Sequence, residues 1–149
     1  MTRRVIFLDI DGVLAPIHHW DRYGDLDPAC VQVLNEIAAH GGADVVVSST
    51  WRYGRSVADL QAMLDSQGFT GRVIDKTPTG LRGADRGEEI AAWLAEHAVD
   101  GYVIIDDHLD MGALGPHLVQ TQPAQGLQPA DAPRAIATLL RSVNGGPPC

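Results

Sequence analysis

The feature that most constrains this chain is a buried strand that runs straight into a pair of carboxylates. Val5-Ile6-Phe7-Leu8 is an unbroken apolar run rich in β-branched and aromatic side chains. Such a run suits a strand covered on both faces, as in a parallel sheet. Asp9-Ile10-Asp11-Gly12-Val13 follows at once. Carboxylates are costly to bury, so a strand ending in Asp-x-Asp needs a reason. In open α/β sheets that reason is commonly a ligand, because sites form beyond the carboxyl ends of the strands. Gly12 allows a sharp turn there and a close backbone approach. A Ca²⁺ loop shares the pattern, but such a loop follows a helix rather than a strand.

The chain's 149 residues suit a single domain, residues 1–149, with a real core. A net charge of −8 argues against broad, non-specific binding to phosphate backbones and leaves room for a local basic patch only. No apolar run approaches the ~20 residues of a membrane helix. Met1-Thr2-Arg3-Arg4 leads into a short run ending in Asp9, which does not match a secretory signal. Cys30, in an expected helix, and Cys149, at the last position, form neither a disulfide framework nor a metal cluster. Together these features point to a reducing, cytoplasmic setting with no membrane partner.

Helices and strands alternate along the chain. Asp27 and Pro28 read as the N-cap and first position of a helix with core stripe Val31, Leu34, Ile37 and Ala38, ended by Gly41-Gly42. Residues 44–48 form the second strand, followed by Ser49-Thr50-Trp51-Arg52. Ser56-Val57-Ala58-Asp59 has the form of a capping box opening a helix with Val57, Leu60 and Leu64 on one face. A short strand spans residues 72–74, and a loop over residues 75–85 carries Lys76, Pro78 and Gly80. Arg86 leads into a helix with Ile90, Trp93, Leu94 and His97 or Ala98 inward. The fourth strand, residues 102–105, ends in Asp106-Asp107, and residues 117–120 suit a fifth. Residues 121–134 and the Gly145-Gly146-Pro147-Pro148 tail read as loop; Asp131 caps a last helix with stripe Ile136, Leu139, Leu140 and Val143. The pattern predicts an α/β fold with a doubly wound, Rossmann-like parallel sheet of about five strands. Residues 15–27 are an aperiodic stretch with His18, His19, Trp20, Arg22 and Tyr23, either a flap over the site or an anchored surface loop.

Asp9/Asp11, Ser49/Thr50 and Asp106/Asp107 each follow an apolar run, so a parallel sheet brings them to one edge. Receiver domains of two-component regulators carry a similar acidic cluster, but their phosphorylated Asp follows the third strand, at mid-chain. Here Asp-x-Asp comes first and Asp-Asp late. The ordered set resembles the haloacid dehalogenase (HAD) superfamily of phosphohydrolases. Ser-Ser-Thr-Trp-Arg, Arg86-Gly87-Glu88-Glu89-Ile90 with Trp93, Ile104-Ile105-Asp106-Asp107, and Val119-Gln120-Thr121 with Gly126-Leu127 narrow the likeness. They resemble the small phosphatase domains of multi-enzyme RNA repair proteins, relatives of the phosphatase half of polynucleotide kinase-phosphatases.

The resemblance implies a strand order of 5-4-1-2-3 and Mg²⁺-dependent phosphomonoester hydrolysis through an aspartyl-phosphate. By it, Asp9 is the nucleophile and Asp11 the general acid and then base. Asp9, the Asp11 carbonyl, Asp106 and Asp107 resemble Mg²⁺ ligands, an inventory that suits an octahedral oxygen site. Ser49 matches the phosphoryl-binding hydroxyl of the second motif, with Ser48 a close rival. The third-motif cation is Arg86 or Lys76. Gly12, Thr50 and Arg52 are candidate substrate contacts, Arg52 either through a bidentate phosphate contact or as a plain surface residue. The motif spacing leaves no room for a large cap domain. An open site of this kind admits a phosphorylated nucleotide or polynucleotide end, with Trp20, Arg22, Tyr23 and Arg52 supplying stacking and charge. It also admits mononucleotides or small phosphate esters. A phosphate- or partner-binding module without catalysis is the alternative outside enzymes.

Overall fold

A computed structural model describes residues 3–16, 26–78 and 85–141. Its centre is β1 (Arg4–Leu8), flanked by β2 (Ala43–Val47) and β4 (Gly101–Asp106). β3 (Val73–Lys76) and β5 (Leu118–Gln120) form the edges, and every pairing is parallel. The order β3-β2-β1-β4-β5 is the one the family likeness implies, read from the other edge.

Alternation along the strands sends successive side chains to opposite faces. Ile6, Leu8, Val45, Val47, Val103 and Ile105 pack against α1 (Pro28–Gly41), α2 (Val57–Ser66) and α4 (Asp131–Leu140). Val5, Phe7, Val46 and Ile104 face α3 (Arg86–Glu96), where Phe7 meets Trp93 edge-to-face at 5.4 Å between ring centroids. The central strands are thus apolar on both sides because both sides are covered.

Local signals set the helix starts. Asp27 accepts from Ala29 N at 2.8 Å, and Gly42 closes α1 with φ +60°. Ser56 and Asp59 exchange both bonds of the capping box that opens α2. Several expectations are corrected, and one open alternative, His97 or Ala98, is resolved. β3 runs on through Lys76, and the fifth strand starts at Leu118, because His117 ends a 3₁₀ turn over Gly112–His117. His97, not the exposed Ala98, turns inward, stacking on Trp93 at 3.9 Å. In α4, Asp131 is the first helical residue rather than the cap, and Leu140 is 53% exposed while Ala132, Ala135 and Leu139 are buried. Packing there is close: a Cβ on Gly41 would come within 2.5 Å of Leu139 Cδ1, so α1 carries a glycine where it meets the buried Leu139. The flap residues His18, His19, Trp20, Arg22 and Tyr23, and also Gly80 and Val143, lie outside the described residues.

Candidate active site

The α3 face of the sheet carries the site at its carboxyl edge. Val46, Phe7 and Ile104 lie on that face, and strand alternation carries the face two residues on, to Ser48, Asp9 and Asp106. The ladder continues past the strand ends: Asp9 N donates to Ile105 O at 3.0 Å and Ser48 N to Leu8 O at 2.9 Å. α3 starts at the same edge, with Asp85 as its N-cap. Its first residue, Arg86, places Nη1 3.1 Å from Asp9 Oδ2 and 2.8 Å from Asp106 Oδ2. Lys76 does not share this place; its Nζ donates to Arg55 O at 2.6 Å.

Burial sets the electrostatics. Asp9 is 3% exposed, and its pKa is pushed up to about 8, chiefly by burial and then by Asp106, against the pull of Arg86. Burial also pushes Asp106 up, but the Arg86 charge and hydrogen bonds from Arg86 and His108 outweigh it and hold that carboxyl below the usual range. Of the pair, Asp9 therefore keeps a proton longer. Both carboxylates hold the Arg86 guanidinium charged, against burial. His108 donates its main-chain N–H to Asp106 Oδ1 at 3.0 Å, and its Nδ1 lies 3.0 Å from the same oxygen and 3.1 Å from Asp107 Oδ1. Asp9, Asp106, Asp107 and His108 each offer a donor atom, all within 4.8 Å of one another.

The turn after β1 is built around Gly12, at φ +80°. A Cβ there would lie 2.5 Å from Asp107 Oδ2, so the close approach that only glycine permits is made by that carboxylate. Thr121 Oγ1 donates to Gly12 O at 2.7 Å and braces the turn from β5. The Asp11 carboxylate is exposed, and Trp51 Nε1 donates to its Oδ1 at 3.1 Å. Its side chain is not among the clustered donors.

The two serines after β2 are separated by their surroundings. Ser49 Oγ accepts from Trp51 N at 3.2 Å and caps a 3₁₀ turn over Thr50–Arg52. Ser48 Oγ is buried on the Asp9 face and has no hydrogen-bond partner. Thr50 is exposed at the start of the turn.

Arg52 departs from both of its expected readings. It is 1% exposed, and its guanidinium donates to Thr77 O, Ser48 O, Ser49 O and Pro78 O and pairs with Glu89 Oε2 at 2.8 Å. That engages all five N–H groups of an arginine, leaving none for a phosphate. Arg52 instead ties the loop after β2 to the loop after β3 and to α3. The sequence reading assigned no role to Trp51, Glu89, His108 or Thr121. A signal existed for Glu89, a charge beside the inward Ile90, and for His108, directly after the acid pair. Trp51 and Thr121 stand in motifs that carry the family likeness, but the sequence does not name their partners; that of Thr121 is 109 residues away.

Residues 5–132 match the family described as the HAD domain in Swiss Army Knife RNA repair proteins. The chain belongs to this family. HAD domains are generally hydrolases of the phosphatase type and typically use Mg²⁺, and the acidic group at the sheet edge could bind a metal. No match was found among curated proteins or among solved structures. Among the described residues, no helix is long and apolar enough to cross a membrane.

Proposed function

We propose that this HAD domain is a Mg²⁺-dependent phosphomonoester hydrolase that acts on phosphorylated nucleic-acid ends through an aspartyl-phosphate. The observation that carries the reading is the meeting of Asp9, Asp106 and Arg86 at one sheet edge, with the unpartnered Ser48 hydroxyl on the same face. The ionised Asp9 carboxylate attacks phosphorus, and the bond to the leaving oxygen breaks in line. Asp11 gives its proton to that oxygen. A water then loses a proton to Asp11 and attacks the acyl phosphate, which releases phosphate and restores Asp9. Arg86 neutralises charge on the phosphoryl oxygens, and Ser48 donates a hydrogen bond to one of them, with Ser49 shaping the turn beside it.

The donor set fits Mg²⁺. Its carboxylates are the hard oxygen ligands this ion takes. Asp107 Oδ1 is buried and accepts no hydrogen bond, although the His108 ring lies beside it. Asp9, Asp106 and Asp107 would hold the ion, with the Asp11 carbonyl as the family likeness implies. When bound, it supplies charge neutralisation at the phosphoryl group.

For the substrate, support comes from a local basic and aromatic group beside the site, on a chain of net charge −8. Tyr53 is 53% exposed, Arg55 is exposed, and Lys76 reaches the Arg55 carbonyl. These groups take the place proposed for Arg52, offering a stacking ring and charge to a nucleotide. In Mg²⁺, a 3′-phosphorylated oligonucleotide should show a higher kcat/KM than p-nitrophenyl phosphate, and Arg55→Ala should narrow the gap several-fold. Equal efficiency on both would leave a small-molecule phosphatase; no phosphate release from any ester would leave a binding module.

A further inference from the structure

We propose that Trp51 is a positioning residue for Asp11, fixing which carboxyl oxygen carries the proton to the leaving group. The inference rests on the phosphatase reading above. The Asp11 backbone is set by its turn: Gly12 N donates to Ala15 O at 2.9 Å, and the N–H groups of Val13, Leu14 and Ala15 all reach Ile10 O. Its side chain is exposed, and among the described residues the donor that reaches it is Trp51 Nε1.

Trp51 itself is held firmly. Its N–H is capped by Ser49 Oγ, and its carbonyl accepts from Arg55 Nη1 at 2.8 Å. The Arg55 guanidinium lies over the indole, 5.7 Å from the ring centroid, and the side chain is partly buried against the core. Its neighbour Arg52 is locked by the buried contacts described above. The donor is therefore fixed and the acceptor is free to turn, so orientation passes from Trp51 to Asp11. An indole N–H only donates. It occupies Oδ1 and cannot take a proton, which leaves Oδ2 as the oxygen that holds and transfers one. As the P–O bond breaks, its electron pair goes to the leaving oxygen, and the proton on Asp11 Oδ2 follows. The water step returns a proton to the same oxygen.

The test exploits leaving-group basicity. A nitrophenolate departs without a proton, whereas an alkoxide needs one. A series of phosphate monoesters, from p-nitrophenyl through phenyl to alkyl, is compared on wild type and on Trp51→Phe, which keeps a ring and removes the N–H. The ratio of kcat/KM on the alkyl to the nitrophenyl ester should fall about tenfold, a part of the ~10²–10⁴ that a placed acid supplies. Both esters are read on one preparation, so any loss of folded protein cancels in the ratio. In an Asp11→Asn background the same change should leave the ratio where Asp11→Asn alone puts it. An unchanged ratio in Trp51→Phe, or a fall that persists in the Asp11→Asn background, overturns the inference. Failure of the underlying reading looks different: Asp9→Asn would then keep wild-type activity, or wild type would show none.

Discussion

At the scale of single residues, Arg52 shows how burial decides a role. An arginine after a strand end, next to phosphate-binding candidates, invites a substrate contact. The structure instead seals it between two loops, where it satisfies four carbonyls and Glu89. Removing one partner of a buried ion pair strands the other, at about 3–5 kcal/mol. Arg52→Ala should therefore lower the unfolding free energy in urea by about that amount. A raised KM with unchanged stability would return Arg52 to the substrate. The same scale separates the serines. Ser48 shares the Asp9 face through strand parity, but parity assigns a face only once the register Leu8↔Val47 is known. The sequence contains both serines and not the register, so the choice between them was not legible.

At the scale of elements, what could be read ahead was what local chemistry determines. All five strands were expected from the sequence, the three central ones as apolar runs, and the caps at Asp27 and Ser56 form the bonds their residue types imply. Ser56→Ala removes one of the two capping-box bonds and should cost about 1 kcal/mol in α2, seen as a lower melting temperature at unchanged kcat. No shift in melting temperature would mean that the tertiary contacts of Leu60 and Leu64 alone hold that end. What could not be read depends on neighbours distant in sequence. The 3₁₀ turns over Thr50–Arg52 and Gly112–His117 have no apolar period. In α4 the expected Leu139 and Ile136 do pack inward, but the small Ala132 and Ala135 share that face and Leu140 does not, because alanines give a weak apolar signal beside a leucine pair.

At the scale of the whole molecule, the sheet edge brings Asp9 and Asp106 onto one guanidinium with Asp107 clustered beside them, and stability should register it. Asp9 keeps its proton to about 8 in the folded chain, whereas an unfolded Asp loses it near pH 4. Between those values the native state binds more protons, so stability in chelator should fall as pH rises from about 4 to about 8. Asp106 is shifted the other way, so its contribution is lost only on acidification below that window. Millimolar Mg²⁺ should raise the melting temperature, most at the alkaline end, where Asp9 is ionised and free to bind a cation. A melting temperature unaffected by Mg²⁺ at every pH would count against a preformed metal site. In the proposed reaction Asp9 carries the phosphoryl group, and acid quenching during turnover of a phosphomonoester, followed by peptide mass spectrometry, would trap it there. The expected result is a phosphoryl adduct on the peptide containing Asp9, labile to hydroxylamine, and neither adduct nor turnover in Asp9→Asn. Full turnover by Asp9→Asn, or wild-type turnover with the adduct on a different residue, would contradict it.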